Sequence, residues 1–270
     1  LLVLNVQHST LAYQLDGLAH AAAIGVPVTL VELGNEHNLS ISSQFMPPGV
    51  YAARVRTWAD SIRARYPAAK IGVVGGEPPA QQGWHDSIFA QSPAIDALAF
   101  HVYLGAGNAD GVLNAQRALG YPAGPDGGLL DRYSDSGFET APVPNDLEIW
   151  ATEYNLGEVL AGASKQHADT WTHALYFSAM SHFLMTLPRV TMLVNHNLTN
   201  TLDFAAIDPQ TRRITANGVA MLLLGQASRG RNRATEITFP GQPMVSAGGT
   251  TYPSLFAWKF ATGAQAAVWW

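Results

Sequence analysis

Val28-Thr29-Leu30-Val31-Glu32-Leu33-Gly34-Asn35-Glu36 reads as an apolar, partly β-branched strand that runs through a glycine into an amide and a carboxylate. Pro27 and Gly34 bound the run, and its apolar residues barely alternate with polar ones. Such a strand is covered on both faces, as in a parallel sheet flanked by helices. The same theme recurs on either side. Leu1–Val6 is a strand followed by a helix over Leu11–Ile24, which Gly25 stops. After the quoted strand comes a helix from Pro48 to Tyr66, then a strand at Lys70–Val74 and a short helix at Trp84–Ala90. Strands follow within Ile95–Tyr103, at Glu148–Thr152 and at Val190–Val194, with helices at His167–Leu187 and Ala216–Ala227. Strands alternating with helices imply parallel pairing through right-handed crossovers. The units up to Ala227 therefore fit either a doubly wound α/β sheet or most of a (β/α)8 barrel.

Two stretches break the rhythm. Gly105 to Pro144 is rich in Gly, Pro, Asp and Ser, with only Val112–Leu119 helical in pattern, and has the length of a functional lid or binding loop. Ile207–Ile214, with Asp208-Pro209 inside it, reads as a hairpin-like excursion. Beyond Arg233 the pattern changes to strands without helices at Thr235–Phe239, Leu255–Phe260 and Ala264–Trp270.

Composition excludes several classes. Of the 270 residues 47% are hydrophobic and 13% charged, far from the polar, highly charged profile of disorder. A net charge of −5 advertises no nucleic-acid surface. Without cysteine there is no thiolate nucleophile, disulfide framework or Cys-ligated metal. No apolar window reaches the ~18 residues of a membrane span. The chain opens in an apolar run and closes on Trp269-Trp270 inside a strand pattern, as an internal piece of a longer protein would. Localisation is left open, a secreted or periplasmic setting being compatible.

The chemistry gathers where strands end. Glu36 follows one strand; Glu153-Tyr154-Asn155 follows Glu148–Thr152; Leu98-Ala99-Phe100 leads into His101-Val102-Tyr103; the last strand leads into Asn195-His196-Asn197. His101 and Tyr103, two residues apart on a strand, share a face. Barrel enzymes keep their active sites at the C-terminal ends of strands. Two carboxyls ~5 Å apart can cleave a glycosidic bond by double displacement, one as acid/base and the other as nucleophile. A single strand-end Glu is more often a cap partner or a solvated loop residue. Two, each with an Asn within two residues, make the catalytic reading comparable in weight.

These residues resemble the clan A retaining glycoside hydrolases. Gly34-Asn35-Glu36, His101-Val102-Tyr103 and Thr152-Glu153-Tyr154-Asn155 occur in that clan's order and spacing, and the resemblance spans Leu1 to Gln226. It implies a (β/α)8 TIM barrel, incomplete at the N-terminus, over residues 1–230, and the start of a β-sandwich over 231–270. On that mapping Leu1–Val6 is barrel strand three and Val190–Val194 strand eight. Strands one and two, with the buried Arg the clan carries on strand two, have no counterpart here. The resemblance makes Glu36 the acid/base and Glu153 the nucleophile. Asn35 would donate to the sugar hydroxyl beside the anomeric carbon, Tyr103 would hydrogen-bond the nucleophile, His101 would line the site and Asn195 would contact substrate. The implied partner is an oligo- or polysaccharide, with neither nucleic acid nor membrane involved and no cofactor or metal required.

Family 51 arabinofuranosidases are the most similar in pattern, with families 79, 39 and 30 also compatible. The alternatives are a family 79-like β-glucuronidase or endoglycosidase and a carbohydrate-binding barrel without turnover, which would need neither glutamate. A fragment without two strands could be inactive by itself. Of the remaining residues, His20, His167, His173 and His182 read as solvated or core helix residues rather than metal ligands. Trp58, Trp84 and Trp171 read as core, and Trp150 as core or sugar platform. Lys70, Lys165 and Lys259 sit at no strand's C-terminal end, which disfavours a Schiff-base lyase.

Overall fold

The structure is a computed structural model that describes residues 1–39, 43–76, 82–104, 144, 146–156, 169–186, 189–200, 204–231, 233–247, 250–253, 255, 257–263 and 265–269. The expected helix at 112–119 and nearly all of its long loop lie outside these residues, as do His167 and Lys165. Six strands, β1 (Leu2–Leu4), β2 (Leu30–Leu33), β3 (Lys70–Val74), β4 (Ala97–Leu104), β5 (Glu148–Leu156) and β6 (Val190–Asn195), form one sheet in chain order. Helices α1 (Leu11–Ala23), α2 (Pro48–Arg65), α3 (Gln82–Ala90), α4 (Trp171–Thr186) and α5 (Ala216–Ser228) follow β1, β2, β3, β5 and β6 in turn. A doubly wound sheet reverses its strand order at a switch point; this order never reverses, so the fold is an incomplete (β/α)8 barrel.

The chain divides into two compact units. The first comprises Leu1–His101, Asp135–Thr152 and Arg189–Met192. Its strands pair in parallel with Leu4 opposite Leu33, Val31 opposite Ile71 and Val73 opposite Leu98. Val31, Leu33, Ile71, Val73 and Leu98 are wholly buried, as expected of strands covered on both faces. Pro48 starts α2, where its missing N–H costs nothing. The helix then buries Tyr51, Val55, Trp58 and Ile62 at helical spacing. The Tyr51 hydroxyl donates to the Leu33 carbonyl at 2.6 Å and accepts from the Val74 N–H at 2.8 Å, tying β2 to β3. Trp84 stacks on Tyr51 at 4.7 Å and donates to the Val74 carbonyl. Trp150 is core: its ring fills the space beside Gly72, where a Cβ would come within 2.6 Å of it. Buried His85 accepts the Gly76 N–H on Nε2 at 2.7 Å, and burial pushes its imidazole down to about 4. Burial pushes Glu148 upward, but hydrogen bonds from Lys70, Trp150 and Thr191 outweigh it and hold the carboxyl below its ordinary range.

The second unit comprises Val102–Ser134, Glu153–Pro188 and Leu193–Trp270. Tyr154 stacks on Phe177 of α4 at 5.3 Å, and its hydroxyl meets Ser181 at 2.9 Å. Thr215 caps α5 by accepting from the Gly218 N–H. Gly218 is close to obligatory, because a Cβ would lie 2.0 Å from the Ala206 carbonyl oxygen. The expected excursion is present as an antiparallel bridge between Ile207 and Ile214. The tail holds a three-stranded antiparallel sheet of β7 (Arg233–Ile237), β10 (Ala257–Thr262) and β11 (Gln265–Trp269). Trp258 and Phe260 cluster with Ala227, and Met185 and Leu224 pack against that cluster.

The structure amends several expectations. Strand β5 continues through Leu156, so Glu153, Tyr154 and Asn155 lie within it and not beyond its end. The hairpin of β8 (Met244–Ala247) and β9 (Thr250–Pro253) was not foreseen, because its short, Gly-interrupted sequence gives little periodicity. Trp171 is 69% exposed: it opens α4 at a position where the helix has no preceding turn to bury it, whereas Trp58 and Trp84 are buried as expected. Asp169, at φ 52, lies outside helical geometry, and α4 begins beyond it at Trp171. Among the described residues no helix is long and apolar enough to cross a membrane.

Candidate active site

In the first unit the chain leaves β2 through a tight turn. Gly34 has φ 99 and Glu36 φ 53, both in the left-handed region. Gly34 is required twice over, since a Cβ would lie 2.3 Å from the His37 ring. His37 is buried; its Nδ1 donates to the Gln44 carbonyl at 2.6 Å, and burial lowers its pKa below the ordinary imidazole value. This packing holds Glu36 in a conformation that costs an L-residue on the order of 1–3 kcal/mol. The Glu36 carboxylate accepts from Nδ1 of His101, on β4, at 3.1 Å. Asn35 beside it is half-buried. Below them Glu32, a carboxylate only 2% exposed inside an apolar strand, accepts from the Thr152 hydroxyl at 3.2 Å.

In the second unit the Tyr103 hydroxyl donates to Oε2 of Glu153 at 2.7 Å and lies 2.6 Å from Nδ1 of His196. His196 Nδ1 is itself 3.9 Å from that carboxylate oxygen. Phe204 packs against both rings, 5.7 Å from Tyr103 and 5.4 Å from His196. Asn155, fully buried, holds the chain beyond β6: its Nδ2 donates to the carbonyls of His196 at 2.5 Å and Phe204 at 3.2 Å, and its Oδ1 accepts from His173 Nε2 of α4 at 2.5 Å.

Sequence reasoning named Glu36, His101, Tyr103 and Glu153, and the structure joins them pairwise as Glu36–His101 and Tyr103–Glu153. The Asn195 amide is engaged by Asn155, at 3.3 Å, and by Met221, while its neighbour His196 reaches Tyr103. His196, Asn155 and His173 were not foreseen in these roles. The only signal for them was an Asn-His-Asn run after the last barrel strand and an Asn two residues after Glu153.

No protein-family model matches the sequence, and no curated protein does. Solved structures do resemble it. A family 51 α-L-arabinofuranosidase from Bifidobacterium longum superposes with a TM-score of 0.73 at 14% identity, over 97% of this chain and 61% of that one. A 4-O-α-L-rhamnosyl-β-D-glucuronidase from Fusarium oxysporum gives 0.64 at 13% identity, over 98% and 55%. A monomeric β-xylosidase from Caulobacter crescentus gives 0.61 at 16% identity, over 98% and 53%. The chain thus spans between half and two thirds of the length of these relatives. At these identities the likeness is one of fold: this chain carries an incomplete (β/α)8 barrel similar to those of glycoside hydrolases of arabinofuranosidase, glucuronidase and xylosidase type.

Proposed function

We propose that the chain is the catalytic part of a retaining, α-L-arabinofuranosidase-like glycoside hydrolase, with Glu153 as nucleophile and Glu36 as acid/base. The observation that carries this reading is that each carboxylate is held by an alternate residue of β4, Glu36 by His101 and Glu153 by Tyr103. His101 and Tyr103, two residues apart on one strand, share a face of it. Glu153 attacks the anomeric carbon and forms a glycosyl ester, while the bond to the leaving oxygen breaks and Glu36 gives that oxygen its proton. Glu36, now a carboxylate, takes a proton from water. That water displaces the sugar and returns Glu153 to its ionised form. Asn35 would steady the hydroxyl next to the anomeric carbon. No metal or cofactor enters the scheme.

The fold likeness to the arabinofuranosidase favours that sugar over the glucuronidase alternative. A binding barrel without turnover would have no use for a nucleophile and an acid. The test is intact mass of the full-length protein after incubation with 2-fluoro-glycosides of arabinofuranose, xylose and glucuronic acid, followed by peptide mapping. An adduct on Glu153 supports the reading and names the sugar. A folded protein that none of them labels overturns it.

A further inference from the structure

Beyond the two carboxylates lies a chain of hydrogen bonds whose direction is chemically constrained. Tyr103 Oη links Glu153 Oε2 at 2.7 Å to His196 Nδ1 at 2.6 Å, the link bending at the hydroxyl so that the two ends are 3.9 Å apart, and His196 Nε2 lies 3.3 Å from Nδ2 of Asn197. A phenol has one proton to donate. If Tyr103 gives it to the Glu153 carboxylate, its oxygen must accept from His196, which places a proton on Nδ1. Nε2 of a neutral imidazole is then the acceptor, and an amide N–H of Asn197 suits it. The opposite polarity would protonate Nε2, turn Nδ1 into an acceptor and draw the tyrosine proton away from the carboxylate. Asn197 would then present its Oδ1, an atom that is buried and without a partner in the orientation observed.

We propose that His196 is a positioning residue of the site, held by Asn197 as the Nδ1–H tautomer so that the single Tyr103 proton is committed to the Glu153 carboxylate. The proposal rests on the catalytic reading for its kinetic consequence but not for its chemistry. Asn155 supports it by fixing the His196 carbonyl, and His173 supports Asn155 from α4. A hydroxyl so polarised is a stronger and better-directed donor than one left to rotate. It meets the carboxylate that must be ionised, and correctly oriented, when it attacks.

The test has two arms on the full chain. Nitrogen-15 NMR of the imidazoles, assigned by loss of the His196 signals in His196→Asn, reads the tautomer at a pH where His196 is neutral. The Nδ1–H form is expected, shifting toward Nε2–H in Asn197→Ala; an Nε2–H form in the unmodified protein overturns the proposal, whether or not any glycoside is turned over. The second arm measures kcat on whichever aryl glycoside labels Glu153. His196→Leu should lose roughly tenfold, less than the hundredfold or more of a donor that touches the reacting charge. His196→Asn, whose amide N–H can take the place of Nδ1–H, should recover most of that loss. Equal losses in the two variants would mean that His196 only fills space, and would overturn the positioning role. Failure of every glycoside to label Glu153 would strike the catalytic reading and leave the tautomer to decide this one.

Discussion

Glu153 and Glu36 differ in what their loss should do. Under the proposed mechanism Glu153→Gln removes the atom that would form the glycosyl ester, so turnover should fall below a thousandth of the parent's on every substrate, read as initial rates on aryl glycosides; normal turnover would refute the nucleophile assignment. Glu36→Ala removes the proposed proton donor, whose loss would matter least when the leaving group needs no proton. We expect it to spare dinitrophenyl glycosides and to cripple alkyl ones, a contrast visible in the ratio of kcat/KM values. The residues behind these two were harder to read. Glu36, His101, Tyr103 and Glu153 announce themselves because each is ionisable or hydrogen-bonding within or just beyond an apolar strand. His196, Asn155 and His173 act through one another across long stretches of chain, and no local pattern encodes such a pairing.

The elements of the barrel were legible because each rests on strong local physics. Strand β3 falls at Lys70–Val74 as expected, and α2 begins at Pro48 and ends before Pro67, because proline punctuates helices by steric exclusion. Boundaries failed where tertiary pairing overrode local signals. The polar residues Glu153 and Asn155 suggested a strand end, yet β5 continues to Leu156. The β2–β3 pair offers a test at this scale. Tyr51→Phe leaves the Leu33 carbonyl and the Val74 N–H without the hydroxyl that serves both. We expect a loss of about 1–3 kcal/mol, measurable as a lowered denaturant midpoint with unchanged slope. Gly72→Ala should cost at least as much, because its Cβ would meet the Trp150 ring at 2.6 Å and that ring is enclosed.

For the molecule as a whole, the buried histidines set the response to acid. His85 titrates near 4 in the folded chain because burial disfavours its charged form, whereas the unfolded chain binds the proton near 6.5. Between those values the unfolded state holds more protons, so stability must fall as the pH is lowered. The full contribution is present above pH 6.5, about 3 kcal/mol of it is lost by pH 4, and little more is lost below that from this group. Buried His37 acts in the same direction. Urea melts at pH 7.5, 5.5 and 4 should show this decline, and His85→Gln should flatten it.

The left-handed backbone at Glu36 carries a consequence for inheritance as well as for chemistry. Glycine, asparagine and aspartate suit that conformation better than glutamate does, so a library fully randomised at position 36 should divide according to what is selected. Survivors chosen only for resistance to heat or protease should be enriched in those three residues, while survivors chosen for sugar release should return to glutamate. If Glu36 has the proposed role, a lineage released from that chemistry should drift first at this position, with the barrel growing sturdier as the carboxylate is lost.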